Sequence, residues 1–279
     1  MAYSAGFMQL IWSRARWFGS AILLTVAACF PFFGRAETGL TAEEIIQKAV
    51  ERAGQSTSGP SLRDYSYTKV TVTEEFDSAG KVKERKEKVY RVSFENGRTR
   101  AKLMEVNGHA PEQGDLKKQT DNEMTGNQLL GQSKSGHGEQ RENFMTSEIV
   151  ARFDFKLEAE TTLNGRPAYE VTFQPKTPEP PVHHLVDRLL NRMSGTLWID
   201  AGEFELARAD LQLRSEVNLL GGVIGTLKKL AYTMTRTRLA DGVWLRTSSS
   251  GDFEGRKLVD PMRIKTKSRA TDFHLLGAS

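Results

Sequence analysis

The chain has 279 residues, 39 basic and 35 acidic side chains, and one cysteine, Cys29. Three of the basic residues and none of the acidic ones fall in the first 36 residues, so residues 37–279 carry 36 basic against 35 acidic side chains. A net formal charge of +1 gives no general attraction to nucleic acid, which we exclude as a partner. Residues 37–279 contain no cysteine, so we expect a single domain there that is stabilised by its core without disulfides.

Residues 1–36 have the pattern of an export signal. Arg14 and Arg16 precede an apolar run of thirteen residues at 21–33, and small residues at 34 and 36 offer a cleavage site. Thirteen helical residues reach about 20 Å, which is shorter than the ~30 Å hydrocarbon core, so retention as a membrane anchor is the least favoured outcome. Cleavage after Ala36 predicts a periplasmic protein.

Cys29 gives an alternative fate for this leader. Val26-Ala27-Ala28-Cys29 resembles a bacterial lipobox, in which the cysteine is acylated and becomes the new N-terminus. The protein would then be a lipid-anchored lipoprotein of the outer or inner membrane. The apolar run continues past Cys29 through 30–33, which is unusual for a lipobox.

The first predicted element after the leader is a short helix. Thr41 is a good N-cap, Glu44 completes a capping box, and Gly54 provides a stop. Alternating strands follow from Tyr65, including a returning strand whose mixed-charge run at 81–88 is typical of a solvated, protected edge.

The next strand and a long polar segment follow. Asn96-Gly97 and Asn107-Gly108 are two-residue turn signals that bracket a strand from Arg98 to Val106. Residues 109–140 are polar and glycine-rich, which predicts a long mobile insertion, and 139–150 has an apolar side that would suit a helix.

A hairpin at 153–174, turning at Asn164-Gly165, precedes the clearest helical pattern in the chain. A proline-rich segment at 175–181 stops the sheet, and a helix is predicted from Val182 to Met193. Its apolar residues recur at helical spacing without a gap. They are Val182, Leu185, Val186, Leu189, Leu190 and Met193.

The remaining chain alternates as strands. A hairpin over 194–213 turns at Ala201-Gly202, and its second strand is predicted to continue to Leu219. An apolar glycine loop at 220–225 is followed by strands at 227–239, 243–253 and 263–274. About ten strands with no helical crossovers predict a mainly β fold with some α. We expect an incomplete antiparallel β-barrel, a curved meander with an N-terminal helix and lid helices.

No catalytic motif is present. The chain has no phosphate-binding loop, nucleophile elbow or zinc-protease helix, so we expect no enzyme activity and no cofactor. His183 and Asp187 are spaced to share a metal, but a site needs three or four ligands, and we expect no metal.

The order of these features resembles the bacterial outer-membrane lipoprotein-sorting proteins, the LolA/LolB-like carriers and their relatives. The features are the leader, the capped helix, the strands, the 163–169 hairpin, the proline segment with its helix, the Gly195–Asp200 strand and Asp241-Gly242-Val243-Trp244-Leu245. The resemblance covers about 40–274 and implies a lidded half-barrel that receives lipoprotein acyl chains in the periplasm. The 109–140 insertion and the 81–88 charge run depart from a minimal carrier.

The apolar helix and loop are the expected ligand contacts. We predict that the helix forms a lid and the loop a rim, which together cover a hydrophobic cavity for lipid or lipoprotein acyl chains. The residues concerned are Leu185, Leu189, Leu190, Met193, Leu220, Val223 and Ile224. The alternative is an envelope sensor or interaction module that binds a protein partner without lipid transport.

Overall fold

The computed structural model describes residues 39–55, 65–95, 98–117, 145–219, 225–257 and 260–276. The predicted leader with Cys29, most of the predicted insertion, and the rim residues Leu220, Val223 and Ile224 lie outside these ranges. The helices are α1 (Ala42–Gly54), α2 (113–117), α3 (Ser147–Val150) and α4 (Leu185–Leu190). The strands are β1 (Tyr65–Phe76), β2 (Val82–Glu95), β3 (Arg98–Val106), β4 (Phe153–Leu163), β5 (Arg166–Pro175), β6 (Met193–Asp200), β7 (Leu206–Leu213), β8 (Val217–Leu219), β9 (Gly225–Arg238), β10 (Trp244–Lys257) and β11 (Asp260–Leu275).

The described strands form one antiparallel sheet of eleven strands, in the order β3-β2-β1-β11-β10-β9-β7-β6-β5-β4, with β8 beside β9. Because β3 and β4 form the two ends of this order, the sheet is not closed. The predicted incomplete antiparallel barrel is therefore confirmed. The order is not a single meander, since β1 pairs with β11 from Tyr65↔Leu275 to Phe76↔Arg263.

Two predicted strand features can be compared directly. The strand expected to run to Leu219 is divided, because β7 ends at Leu213 and the separate strand β8 pairs with β9. The charge run lies in β2, where Lys86 pairs with Glu84 at 3.1 Å. β3 pairs with β2 only from Lys88 onward, so within the described ranges the 82–87 segment has no strand on its outer side.

Helix α1 forms as its sequence predicts. The Thr41 hydroxyl accepts from the Glu44 backbone N–H at 3.2 Å, and the Glu44 carboxylate accepts from the Thr41 backbone N–H at 2.8 Å. Ile45, Ile46 and Ala49 are buried on one side of the helix in the main core cluster. No helix in the described ranges is long and apolar enough to cross a membrane.

The predicted helix from Val182 to Met193 is wrong in its bounds, since α4 has only the six residues Leu185–Leu190. Val182 precedes it and is 47% exposed, whereas Met193 begins β6 and pairs with Leu213. The apolar spacing misled because residues that belong to a coil, a helix and a strand happen to fall at helical intervals. Of the helix predicted at 139–150, residues 139–144 lie outside the described ranges, 145 and 146 are not helical, and only α3 forms.

Candidate functional site

The sheet has two faces, and we call the one on which α1 packs the helix face. Directly opposed residues in antiparallel strands point to the same face. Met234 of β9 lies in the core cluster with α1, and its partners Ala209 and Ser249 therefore belong to the helix face. The same registers assign the helix face along every strand from β4 to β11.

Over β4 to β7 the helix face is already filled. Val171, Phe173, Leu197 and Ile199 are buried there with the α1 residues. The rings of Phe153 and Phe173 meet edge to face, with centroids 4.9 Å apart. This half of the helix face is therefore a packed core.

Over β9 to β11 the helix face carries an apolar strip, which we define as Leu227, Leu230, Phe253, Met262 and Ile264. Leu230, Phe253 and Ile264 oppose one another in one row, and Leu227 and Met262 both oppose Gly255 in the next. A register shift in β9 brings Leu227 and Leu230 to the same face although they are three residues apart. Except for the buried Leu230, these side chains are partly exposed.

Two glycines shape the strip. A Cβ at Gly251 would lie 2.3 Å from Cε2 of Phe253, which shows that the Phe253 ring folds back over this position on the same face. A Cβ at Gly255 would lie 2.3 Å from the Thr226 carbonyl oxygen. Glycine at these positions therefore lets the ring and the neighbouring backbone approach closely.

The structure describes the four residues predicted as lid but not those predicted as rim. Leu189 and Leu190 are half-buried on α4, Leu190 packs against the main core, and Met193 is buried in β6, while Leu185 begins α4. The three rim residues are outside the described ranges. Their loop starts and ends at the pair Leu219↔Gly225, and α4 contacts the strand β8 that leads into it.

The sequence reasoning did not identify the apolar strip as a site, although its signal was present. Leu230 and Phe253 follow charged residues, and Ile264 lies between Arg263 and Lys265. This alternation was sufficient to predict strands. It could not show that three strands distant in sequence align their apolar residues in rows.

A buried polar cluster, which no sequence pattern indicated, fixes α4. Arg152, Asp187 and Asn191 are only 8%, 3% and 4% exposed. Arg152 Nη2 lies 2.9 Å from Asp187 Oδ1, and Arg152 Nη1 donates to Asn191 Oδ1 at 3.1 Å and to the Pro181 carbonyl at 3.0 Å. Asn191 in turn donates to the Pro180 carbonyl at 2.8 Å. The cluster therefore ties α4 and the proline segment to the start of β4.

The Asp187 carboxylate also accepts from the backbone N–H groups of His183 and His184, at 2.7 and 2.8 Å. Burial raises the pKa of Asp187, but these hydrogen bonds and the nearby Arg152 outweigh burial, so the pKa is lowered. The four-residue spacing of His183 and Asp187, which could have suited a metal, instead lets the Asp187 carboxylate accept a hydrogen bond from the His183 backbone N–H. Among the described residues, no three His, Cys, Asp or Glu side chains group as a metal site.

A cavity of about 330 Å³ lies between α4 and β8, and we call it the α4–β8 cavity. Most of its lining is polar or charged, unlike the apolar strip. The lining residues are Glu179, Val182, Arg188, Asn191, Arg192, Glu216, Val217 and Asn218.

A smaller cavity of about 90 Å³ lies beside a dense ion-pair network. Arg166 holds the Asp200 carboxylate with two hydrogen bonds, at 2.6 and 2.9 Å. Burial raises the pKa of Asp200, but the bonds from Arg166 and from the backbone N–H groups of Glu203 and Gly202 outweigh it and lower the pKa. Each charge here already has a partner, so we regard the network as structural.

No protein-family model matches the chain, and no curated protein matches it. Solved structures do match. A LolA superfamily protein from Nitrosomonas europaea is 12% identical, with 86% of this chain and 96% of that chain covered and a TM-score of 0.33. A domain described as that of an outer membrane lipoprotein-sorting protein from Vibrio parahaemolyticus is 11% identical, with coverages of 85% and 94% and a TM-score of 0.35.

The Pseudomonas aeruginosa MucA/MucB complex also matches, at 10% identity, with 85% of this chain and 99% of that chain covered and a TM-score of 0.24. The first two structures are of the kind that the sequence resembles. At these TM-scores, function has to be argued from the residues of this chain.

Proposed function

We propose that this protein is a non-enzymatic lipid- or lipoprotein-binding protein of the periplasm, which carries or senses acyl chains and belongs to outer-membrane lipoprotein sorting. The observation that supports it most is the apolar strip. Phe253, Met262 and Ile264 stand partly exposed in aligned rows, next to the part of the helix face that α1 fills. A partly exposed apolar surface of this kind is suited to an apolar ligand.

The size of the strip fits an acyl chain. Three strands about 4.8 Å apart give a surface roughly 10 Å wide, and the two rows lie about 7 Å apart along the strands. Each buried methylene contributes about 0.8 kcal/mol, so eight methylenes on the strip would contribute roughly 6 kcal/mol before the costs of binding.

We further propose that α4 and residues 220–224 border this ligand as lid and rim. The loop joins β8 to β9 and has the pair Leu219↔Gly225 at its base. Two residues along β9 from this base, Leu227 of the strip pairs with Val217. Leu189 of α4 and the three rim residues are the side chains that we expect to contact the chain. Leu190 packs against the main core and Met193 is buried in β6, so we expect these two to support the site from the core.

A chain-length series tests the acyl-chain proposal. Fatty acids of 8 to 14 carbons should displace an apolar fluorescent dye, with about fourfold tighter binding per added methylene until the strip is covered. Ile264→Asn should weaken binding about tenfold, because it places a polar amide in the row. Val72→Asn is the matched control, since Val72 is half-buried on the opposite face of β1 and pairs with Lys267. Affinity that does not depend on chain length, or equal loss in both variants, would overturn the proposal.

The fate of the leader is tested separately by the mass of the mature N-terminus. Cleavage after Ala36 predicts a protein that begins at Glu37 and is released into the periplasm. A diacylglyceryl mass on Cys29 would instead establish an outer- or inner-membrane lipoprotein, and an intact leader would establish a membrane anchor.

A second candidate, an envelope sensor or interaction module, is favoured by exposed apolar side chains near β3. Met104 of β3 is 43% exposed and Leu116 is 45% exposed. Exposed apolar side chains of this kind can contact a protein partner. Native mass spectrometry of the exported protein separates the two candidates. Co-purifying lipid supports the carrier, whereas a lipid-free mass with stability unchanged by acylated peptide supports the module.

A further inference from the structure

The α4–β8 cavity is unsuited to an acyl chain. At about 330 Å³ it falls at the small end of ligand-binding pockets. An acyl chain inside it would remove Arg188 and Glu216 from water without offering either of them a partner, which is costly. A small polar ligand is therefore the better match.

The charges that line the cavity divide into a pair and two single groups. Arg192 and Glu179 form an ion pair with each other. Within the part of the chain that the structure describes, neither Arg188 nor Glu216 has an ion-pair partner, and both are exposed. The cavity thus presents one cation and one anion that a ligand can satisfy. A purely anionic ligand would meet repulsion from the carboxylates of Glu179 and Glu216.

The cavity is next to the apolar strip. Val217 is buried, lines the cavity and lies directly opposite Leu227 of the strip. The cavity therefore lies at the end of the strip that β9 forms. A lipid whose chain lies on the strip can place its headgroup in the α4–β8 cavity at that end.

We propose that the α4–β8 cavity binds a zwitterionic phosphate–amine headgroup of the phosphoethanolamine class, with the phosphate at Arg188 and the ammonium group at Glu216. This inference rests on the proposed function, because it assigns the polar end of the lipid whose chain lies on the strip. Arginine can bind phosphate oxygens with two parallel hydrogen bonds, and a carboxylate accepts from an ammonium group.

Short-chain lipids that differ only in headgroup test this assignment. Dihexanoyl phosphatidylethanolamine should bind about tenfold more tightly than dihexanoyl phosphatidylglycerol, because only the first offers a cation to Glu216. Arg188→Gln should weaken binding of both lipids about tenfold, and Glu216→Gln should remove the preference between them. Arg269→Gln and Glu160→Gln are matched controls on exposed residues of β11 and β4, and both should bind like the unmodified protein.

The outcomes separate this proposal from the proposed function. Equal affinity for the two lipids, undiminished binding by Arg188→Gln, or a preference retained by Glu216→Gln would each overturn the headgroup site while fatty acids still displace the dye. Failure of fatty acids to displace the dye would instead overturn the proposed function.

Glycerophosphoethanolamine, which has no chains, should bind far more weakly than the lipid. If it bound equally well, a free headgroup compound would be the ligand and the link to the strip would be lost. Thermal melts of both variants should match the unmodified protein, because both substituted residues are exposed.

Discussion

Replacing Asp187 by alanine should strongly destabilise the protein, because it breaks the buried pair with Arg152. Removing one partner of a buried pair typically costs about 3–5 kcal/mol. Arg152 would keep its acceptors on Asn191 and Pro181, and the backbone N–H groups of His183 and His184 belong to exposed residues and can bind water. We therefore expect the lower end of the range, about 3 kcal/mol, which for this chain length lowers Tm by roughly 6–12 °C.

Denaturant unfolding and thermal melts measure this loss, and limited proteolysis of the 176–184 segment reports whether α4 is released. In the double variant Arg152→Met/Asp187→Leu most of the stability should return, because apolar side chains can replace a buried pair at little cost. Glu158→Ala, which removes an exposed partner of Lys156, should leave Tm unchanged. An Asp187→Ala protein within about 0.5 kcal/mol of the unmodified one would refute the reasoning, since such a change is typical of an ordinary surface site.

Two further predictions concern the sheet. Gly195→Ala should destabilise by about 1–3 kcal/mol in denaturant unfolding, because its Cβ would lie 2.0 Å from the Asp210 carbonyl oxygen; unchanged stability would show that the two strands separate easily. The pair of Asp200 with Arg166 should stabilise the fold at pH values above about 3.9, the ordinary pKa of an aspartate carboxyl group. This stabilisation should be lost as the pH falls through the lowered pKa of Asp200 in the folded state. Asp200→Asn should therefore be less stable at pH 7 and should lose less stability between pH 5 and 3. Parallel acid profiles for the two proteins would contradict this assignment.

Turns were the most predictable part of the fold, because their chemistry is local. Both residues of Asn164-Gly165 have positive φ, 52° for Asn164 and 79° for Gly165. The same holds for Asn107-Gly108, with 51° for Asn107 and 79° for Gly108. Asparagine followed by glycine tolerates this conformation better than other pairs, so the hairpin between β4 and β5 could be predicted from two residues. The capping box of α1 was predictable for the same reason.

The bounds of α4 and the cluster around it were not predictable, because they depend on residues far apart in the chain. Arg152 meets Asp187 and Asn191 across more than thirty residues, and Asn191 is committed to this cluster where the helix ends. An acidic residue at 187, early in a helix, was a local cap signal, but nothing in the sequence identified its buried partner. The apolar strip was missed for a related reason, since its rows exist only once β9, β10 and β11 are aligned.

The pairing of β1 with β11 also governs the order in which the fold can be completed. In the sheet order, β11 is the strand that joins β1–β3 to β4–β10, and Tyr65 pairs with Leu275, 210 positions later. Each hairpin can form from neighbouring sequence, but the pairing of β1 with β11 must close a loop of about 210 residues. Such a high-contact-order step is slow, and its closure entropy must be met before the joint contributes any stability. Among the strands that the structure describes, β11 is the last in chain order and the one that unites the two halves, so until it docks the edges of β1 and β10 remain open to other chains.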